Sequence, residues 1–297
     1  VGKEGGFGMI YDDILLVGLS IGFWTGKSRL DPDDLKLSKK DIPDFYMLGS
    51  KYLIDAEKIN EFYKLSSHYR SIFYDLTLPF PIGSARIIPL DQLEKISEFF
   101  KEGESVYMKK AEEFVNSYNN LKKKALAQYK KFFEKHDYDL KLLEKIEKLY
   151  PSKEKILSKF YFDYLVTSLK DSKDILLAKH KNLEDFVNKA SLEVNKVVNV
   201  ALEDLYKTIV ECCDRIKTSA EGKPITESRK ESITKMLNRV QSLNFVKYEP
   251  VEEAVESIKK LIAGEITPGI KKEAEKISRS LSDIFENLGD KKIVKLE

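Results

Sequence analysis

"ILLVGLSIGFWTGKSRL", residues 14–30, decides between two readings of the chain. Its end, Gly26-Lys27-Ser28, copies the last three residues of a phosphate-binding loop, and an apolar run precedes it. That loop needs glycine, four residues, then Gly-Lys-Ser/Thr, so that successive backbone N–H groups curl around phosphate. The first glycine would fall at position 21, which is Ile21. Gly22 comes one residue too late, and bulky Phe23 and Trp24 follow it. A helix must also open after the serine, whereas Arg29-Leu30-Asp31-Pro32 turns away. No later apolar strand ends in an acid placed to hold magnesium. The stretch is therefore read as structure. Val17, Leu19, Ile21 and Phe23 alternate with Leu16, Gly18, Ser20 and Gly22, the period of a strand over 14–26. Trp24 is a packing anchor and Gly26-Lys27 a turn.

Working outward, "LDPDDLKLSKKDIPD" is a polar loop. Residues 55–75 are expected to be helical, with Asp55 as N-cap, until "LPFPIG" breaks the helix. "SARIIPL", 84–90, predicts a short strand. A long helical pattern begins near Asp91, with Gly103 as an interruption. From Tyr107 it carries Ala111, Phe114, Tyr118, Leu121, Ala125, Tyr129 and Phe132 at heptad-like steps. A short helix is expected over 139–149 and an aromatic strand over 160–169. A second seam runs Leu183, Phe186, Ala190, Val194, Val197, Ala201, Leu205, Ile209, Cys212, Ile216. Each long helix would measure roughly 50–65 Å. The expectation is that 105–135 pairs with 183–218 as an antiparallel coiled-coil arm. Helices at 227–242, 250–263 and 268–288 complete the chain, with Pro250 and Pro268 in first turns.

The expected fold is α+β and predominantly α. A small antiparallel sheet, from strands near 14–26, 84–90 and 160–169, anchors the arm, and a helical bundle follows. Residues 1–8 are read as a leader or disordered tail, 9–264 as a single domain, and 265–297 as a C-terminal helix and tail.

Composition narrows function by exclusion. Lys and Arg number 51 against 49 Asp and Glu, a formal net charge of +2, so there is no global pull toward nucleic acid or anionic lipid. The Lys/Glu-rich balance has a thermophile-like bias. No run of about 20 apolar residues predicts a transmembrane span, and no secretory signal is visible. The two cysteines, Cys212 and Cys213, are adjacent and cannot staple distant segments, which points to a reducing cytoplasm. On a helix their side chains splay apart, flanking acids raise their pKa, and Cys212 belongs to the seam.

Other candidate sites dissolve under the same scrutiny. His68, His136 and His180 lie far apart, without partners at ligand spacing. Asp31, Asp33 and Asp34 lack the glycine and the final glutamate of a calcium loop, which leaves turn and cap duty. One charge feature survives. Residues 114–133 carry Lys122, Lys123, Lys124, Lys130 and Lys131 and no acid, with Tyr118 and Tyr129 interleaved. Such a stripe could follow a phosphate backbone, or be a solvated helix face balanced by a partner's acids.

These residues also resemble a known family. "ILLVGLSIGFWTGKSRL" is followed by an acidic loop, then "LGSKYLID", then "PIGSARIIPLDQLEKISEFF" and a long helix. The pattern resembles the bacterial and phage family called domain of unknown function 3150. Its strand core is matched by Ile21-Gly22-Phe23-Trp24-Thr25-Gly26-Lys27, its second segment by Leu48-Gly49-Ser50-Lys51, and its later aromatic strand by Phe160–Leu169. The resemblance would cover roughly 9–264. It implies Gly22, Trp24, Gly26, Lys27 and Gly49 as structural signature positions, with no catalytic, cofactor or metal residue. Genes of this family often neighbour MoxR-type AAA+ ATPases and von Willebrand A proteins, which implies an accessory role. The expectation is a non-enzymatic cytoplasmic adaptor without a cofactor. The alternatives are a nucleic-acid-binding protein using 114–133, self-assembly through the arm, and membrane engagement by rearranged helices.

Overall fold

A computed structural model describes residues 14–288, apart from 39, 41, 44–45, 81–83, 169–183, 220–223, 246 and 265. Side chains at 168, 184–198 and 284–288 are likewise outside the description. The readings of residues 1–8, His180, Leu183 and the final tail fall outside it. The chain divides into two units, residues 1–18, 72–98 and 164–297 in one, and 19–71 and 99–163 in the other.

Six strands and eight α-helices are described: β1 (Ile14–Gly22), β2 (Lys27–Arg29), β3 (Ser50–Tyr52), α1 (Ala56–Leu76), β4 (Leu78–Pro79), β5 (Arg86–Pro89), α2 (Leu93–Lys135), α3 (Lys141–Glu147), α4 (Lys153–Leu157), β6 (Tyr161–Ser168), α5 (Glu184–Lys217), α6 (Glu227–Leu243), α7 (Glu249–Leu261) and α8 (Pro268–Leu288). The three expected strands are β1, β5 and β6, joined with β4 in one sheet of order β4-β5-β1-β6. β1 and β5 are antiparallel, with Leu15 opposite Ile88 and Val17 opposite Arg86. β1 ends at Gly22, earlier than its alternation suggested, because Gly26 takes a left-handed φ of 65° and redirects the chain.

The first unit has an aliphatic core. Leu205, Ile209 and Ile216 of α5 join Leu237 of α6, Val255 of α7 and Leu281 of α8 in one buried cluster. On α6 and α7 the buried positions recur at steps of three and four, including Ile233, Leu237 and Val240, then Val251, Ala254, Val255 and Ile258. α7 carries Glu249 and Glu252 in its first turn and Lys259 and Lys260 in its last, matching the helix dipole.

The second unit has an aromatic core. Phe62 of α1 lies 4.8 Å from Phe160, 5.5 Å from Phe114 and 6.0 Å from Tyr107, ring centre to ring centre. α1 starts where Asp55 was expected to cap it: the Glu57 N–H donates to Asp55 Oδ1 at 2.9 Å. Gly103 does not interrupt α2, which runs unbroken for 43 residues. Glycine is there for packing. A Cβ would lie 2.7 Å from Phe162 Cζ and 3.2 Å from Tyr69 Cε1.

Among the described seam positions, Tyr107 to Tyr118 of α2 and Ala201 to Ile216 of α5 are buried, whereas Phe132 is 49% exposed and Phe133 is buried in its place. Tyr107, Ala111, Phe114 and Tyr118 of α2 pack among the aromatics of the second unit. Ala201 to Ile216 of α5 is covered by α6, α7 and α8.

Candidate functional site

The phosphate-loop lookalike is one edge of a two-stranded ribbon. Lys27 pairs with Tyr52, Ser28 with Lys51 and Arg29 with Ser50, antiparallel. The ribbon is closed by Leu53 N–H donating to Gly26 O at 2.7 Å and Leu30 N–H to Gly49 O at 3.1 Å. Gly26 and Gly49, with φ of 65° and 87°, flank the strands. No α-helix opens at Ser28, where the chain continues as a strand to Arg29, so the N–H cradle that phosphate requires is not built. The Lys27 ammonium instead lies 5.1 Å from the Tyr52 ring centre.

The acidic knot serves this ribbon. Asp31 caps a short 3₁₀ turn, Pro32–Leu35, in a capping box with Asp34. Asp34 also pairs with Lys51, both side chains nearly buried at 9% and 11% exposure. Asp33 takes an exposed pair with Lys145 at 2.6 Å. Turn and cap duty is what these three residues perform.

Trp24 is buried, its ring 5.7 Å from Tyr118 and edge-on to it. Gly22 admits the Tyr161 ring where a Cβ would collide with it, and Gly22 O accepts from Tyr107 Oη at 2.8 Å. Tyr118 Oη donates to Pro151 O at 3.0 Å, Tyr129 to Tyr52 O, and Tyr150 to Leu53 O. Burial pushes Tyr118 up to about 12. It also holds Tyr107, Tyr129 and Tyr150 above the ordinary phenol range, with nearby Tyr161, Asp34 and Tyr129 respectively adding to it.

This arrangement revises the stripe at 114–133. Tyr118 and Tyr129 turn inward, so they do not interleave with the lysines on the surface. Lys123, Lys124, Lys130 and Lys131 are exposed. Lys122 pairs with Glu147 at 3.0 Å and lies 5.3 Å from the Tyr150 ring centre. Lys130 lies 3.8 Å from Glu134.

In the first unit, two arginines that sequence reasoning passed over converge on the C-terminal turn of α1. Arg239 Nε donates to Asp75 O at 3.0 Å, and its Nη2 lies within reach of Tyr74 O at 3.3 Å and Thr77 O at 3.2 Å. Nη2 also pairs with Asp204 at 2.8 Å, and Nη1 donates to Thr208 Oγ1 at 3.2 Å. Arg86 donates from Nη2 to Thr77 O at 2.9 Å and from Nε to Thr77 Oγ1, with its guanidinium 4.7 Å from the Tyr74 ring centre. Burial above all, then neighbouring Arg239, lowers the Arg86 pKa, and Asp204 acts against them. Carbonyls at a helix end attract cations, so the pair is a cap. These residues border a cleft of about 1160 Å³ that Lys95, Arg215, Lys230, Glu227 and Glu231 also line.

The cysteines are core residues. Burial pushes Cys212 up to about 12, with Cys213 and Glu211 adding to it, and Cys213 up to about 11. Such thiols stay protonated and unreactive at neutral pH. His68 and His136 are exposed, the first on α1 and the second in the turn that follows α2. Among the described residues no group of His, Cys, Asp and Glu could hold a metal ion, and no helix is long and apolar enough to cross a membrane.

The pairing of Lys27–Arg29 with Ser50–Tyr52 unites two stretches that resembled one family. A family model described as "Protein of unknown function (DUF3150)" matches residues 11–276. The chain belongs to the DUF3150 family. No curated protein and no solved structure matches it. Among the sequence-derived positions of this DUF3150 chain, the fold brings Gly26, Lys27 and Gly49 together at the ribbon. Gly22 and Trp24 lie along α2, and the lysines stay apart on its outer face. Arg86, Arg239 and Thr77 carried no signal because much of their bonding is to backbone carbonyls, and Asp204 lies 35 residues from Arg239, links that no residue pattern encodes.

Proposed function

We propose that this DUF3150 chain is a non-enzymatic interaction protein, an adaptor or scaffold accessory to a remodelling system that contains an AAA+ ATPase and a von Willebrand A protein. One observation carries the reading. The polar side chains in unusual surroundings direct their hydrogen bonds at the protein's own backbone or at neighbouring side chains: the tyrosine hydroxyls, Arg86 and Arg239, and the aspartates of the 3₁₀ turn. Groups committed in this way support shape, and a general acid, base or nucleophile needs the opposite, a free group facing a reacting atom. The ATPase association comes from the family resemblance, and a cytoplasmic location follows from the same reading.

The test is purification of the full chain, tagged, together with candidate AAA+ and von Willebrand A chains encoded beside it. A stable complex at fixed stoichiometry, with ATP turnover only in fractions that hold the ATPase, is the expected result. Nucleotide or nucleic-acid turnover by the isolated chain would overturn the reading.

A further inference from the structure

We propose that the outward face of α2 between Asn120 and Lys131 binds the phosphate backbone of double-stranded nucleic acid. Lys123, Lys124, Lys130 and Lys131 are all exposed there, as are Asn120 and Ala127. The lysines form two rows, Lys123 with Lys130 and Lys124 with Lys131. Seven residues of helix rise ~10.5 Å, which spans about three phosphates of one strand at ~3.4 Å each. No acid occurs from 114 to 133, so nothing within that stretch neutralises the four charges. Glu134 approaches Lys130 only at 3.8 Å, both side chains more than half exposed, and such a pair is weak.

The class of partner follows from what the face presents. Protein interfaces depend on aromatic or arginine anchors seated in pockets. Ala127 is the largest apolar group between these lysine rows. Single strands are held by stacking on aromatic rings; Tyr118 and Tyr129 are turned inward onto Pro151 O and Tyr52 O, and the exposed Phe132 ring is packed against His136 and Tyr138. Membrane-surface helices insert their apolar face, but the apolar face of α2 is buried around Phe114 and Tyr118. Lysine point charges beside an amide suit sequence-independent phosphate contact, which needs neither stacking nor base readout. This inference stands apart from the adaptor reading and survives its failure.

Anisotropy of a labelled duplex of about 30 base pairs, titrated with the full chain, tests it. Four neutralised phosphates predict a log–log salt slope near −3.6, hence a loss on the order of 100-fold between about 50 and 200 mM salt. The quadruple variant Lys123→Gln, Lys124→Gln, Lys130→Gln, Lys131→Gln is expected to bind at least ~10-fold more weakly and to flatten the slope. Four arginines at the same positions are expected to restore both. Trp24 fluorescence and helical circular dichroism report whether each variant keeps its fold. Absence of binding at the low salt overturns the proposal, as does undiminished binding by the folded glutamine variant. Equal or tighter binding to a single strand of the same length, or to phosphatidylserine vesicles, overturns the choice of a duplex.

Discussion

Gly103 is a residue whose sequence signal and structural role point in opposite directions. Inside a helix, glycine costs about 1 kcal/mol relative to alanine. An alanine at 103 would recover that and then press its methyl 2.7 Å from Phe162 Cζ, on a ring only 3% exposed, and 3.2 Å from Tyr69. Overpacking of this kind costs about 1–3 kcal/mol. Gly103→Ala is therefore expected to destabilise the protein by about 1 kcal/mol despite its better helix propensity. Gly22→Ala makes the tighter clash, but against the ring of Tyr161, which is 40% exposed and can swing outward. Its cost is expected to stay below about 1 kcal/mol. Urea unfolding followed through Trp24, the single tryptophan, checks both. A Gly103→Ala protein more stable than the parent would show that the Phe162 contact is not fixed. Residues of this kind escape sequence reading because a glycine reports that space is needed without saying which neighbour needs it.

Among the elements, α2 orders the second unit through three tyrosines spaced eleven residues apart, about three helical turns. Tyr107 and Tyr118 are buried, and their hydroxyls donate to Gly22 O and Pro151 O. Tyr129 is half-buried and donates to Tyr52 O. Replacing Tyr107 or Tyr118 by Phe keeps the ring and strips one carbonyl of its partner. Each is expected to cost about 0.5–1.5 kcal/mol. Tyr129→Phe should cost less, since water can reach its carbonyl, and denaturant midpoints compare the three. Element boundaries were largely legible in the sequence. Asp55, Pro250 and Pro268 sit at helix starts in the fold as they did in the pattern. The ribbon of β2 and β3 was not legible, because strands of three residues carry no periodicity and their ladder partner lies across a loop. β4 was hidden in a proline-rich stretch that signals a break. The seams marked buried stripes from Tyr107 to Tyr118 and from Ala201 to Ile216 and missed at Phe132, which is exposed, and a heptad pattern states that a face is covered and not by what. Aromatic rings around α2 and aliphatic helices around α5 satisfy the same spacing that a coiled-coil partner would.

At the scale of the molecule, the fully buried titrating groups differ between the two units: thiols in the first, with the partly buried Tyr248 packed against their cluster, and phenols in the second. Cys212 and Cys213 are fully buried, with folded pKa values raised to about 12 and about 11. Tyr118 is raised to about 12, and Tyr107 and Tyr150 are held above the ordinary range, in each case chiefly by burial. A raised acid keeps its proton in the fold after the unfolded chain has released it. The unfolded state then binds fewer protons, and the free energy of unfolding falls as pH rises. The contribution of the thiols is complete below about pH 8.5 and that of the phenols below about pH 10. Both are lost as pH climbs through the folded values, up to about 12 for Cys212 and Tyr118. Denaturant midpoints are accordingly expected to hold steady near neutrality and to fall from about pH 8.5 onward. Replacing both cysteines by alanine should delay the onset to about pH 10, where phenols begin to ionise in the unfolded chain. Thiol labelling under increasing denaturant reports the first unit, and Trp24 fluorescence reports the second. Midpoints that stay level to pH 11 would mean that water reaches these groups in the folded protein, and the separation into two dry cores would be lost with them.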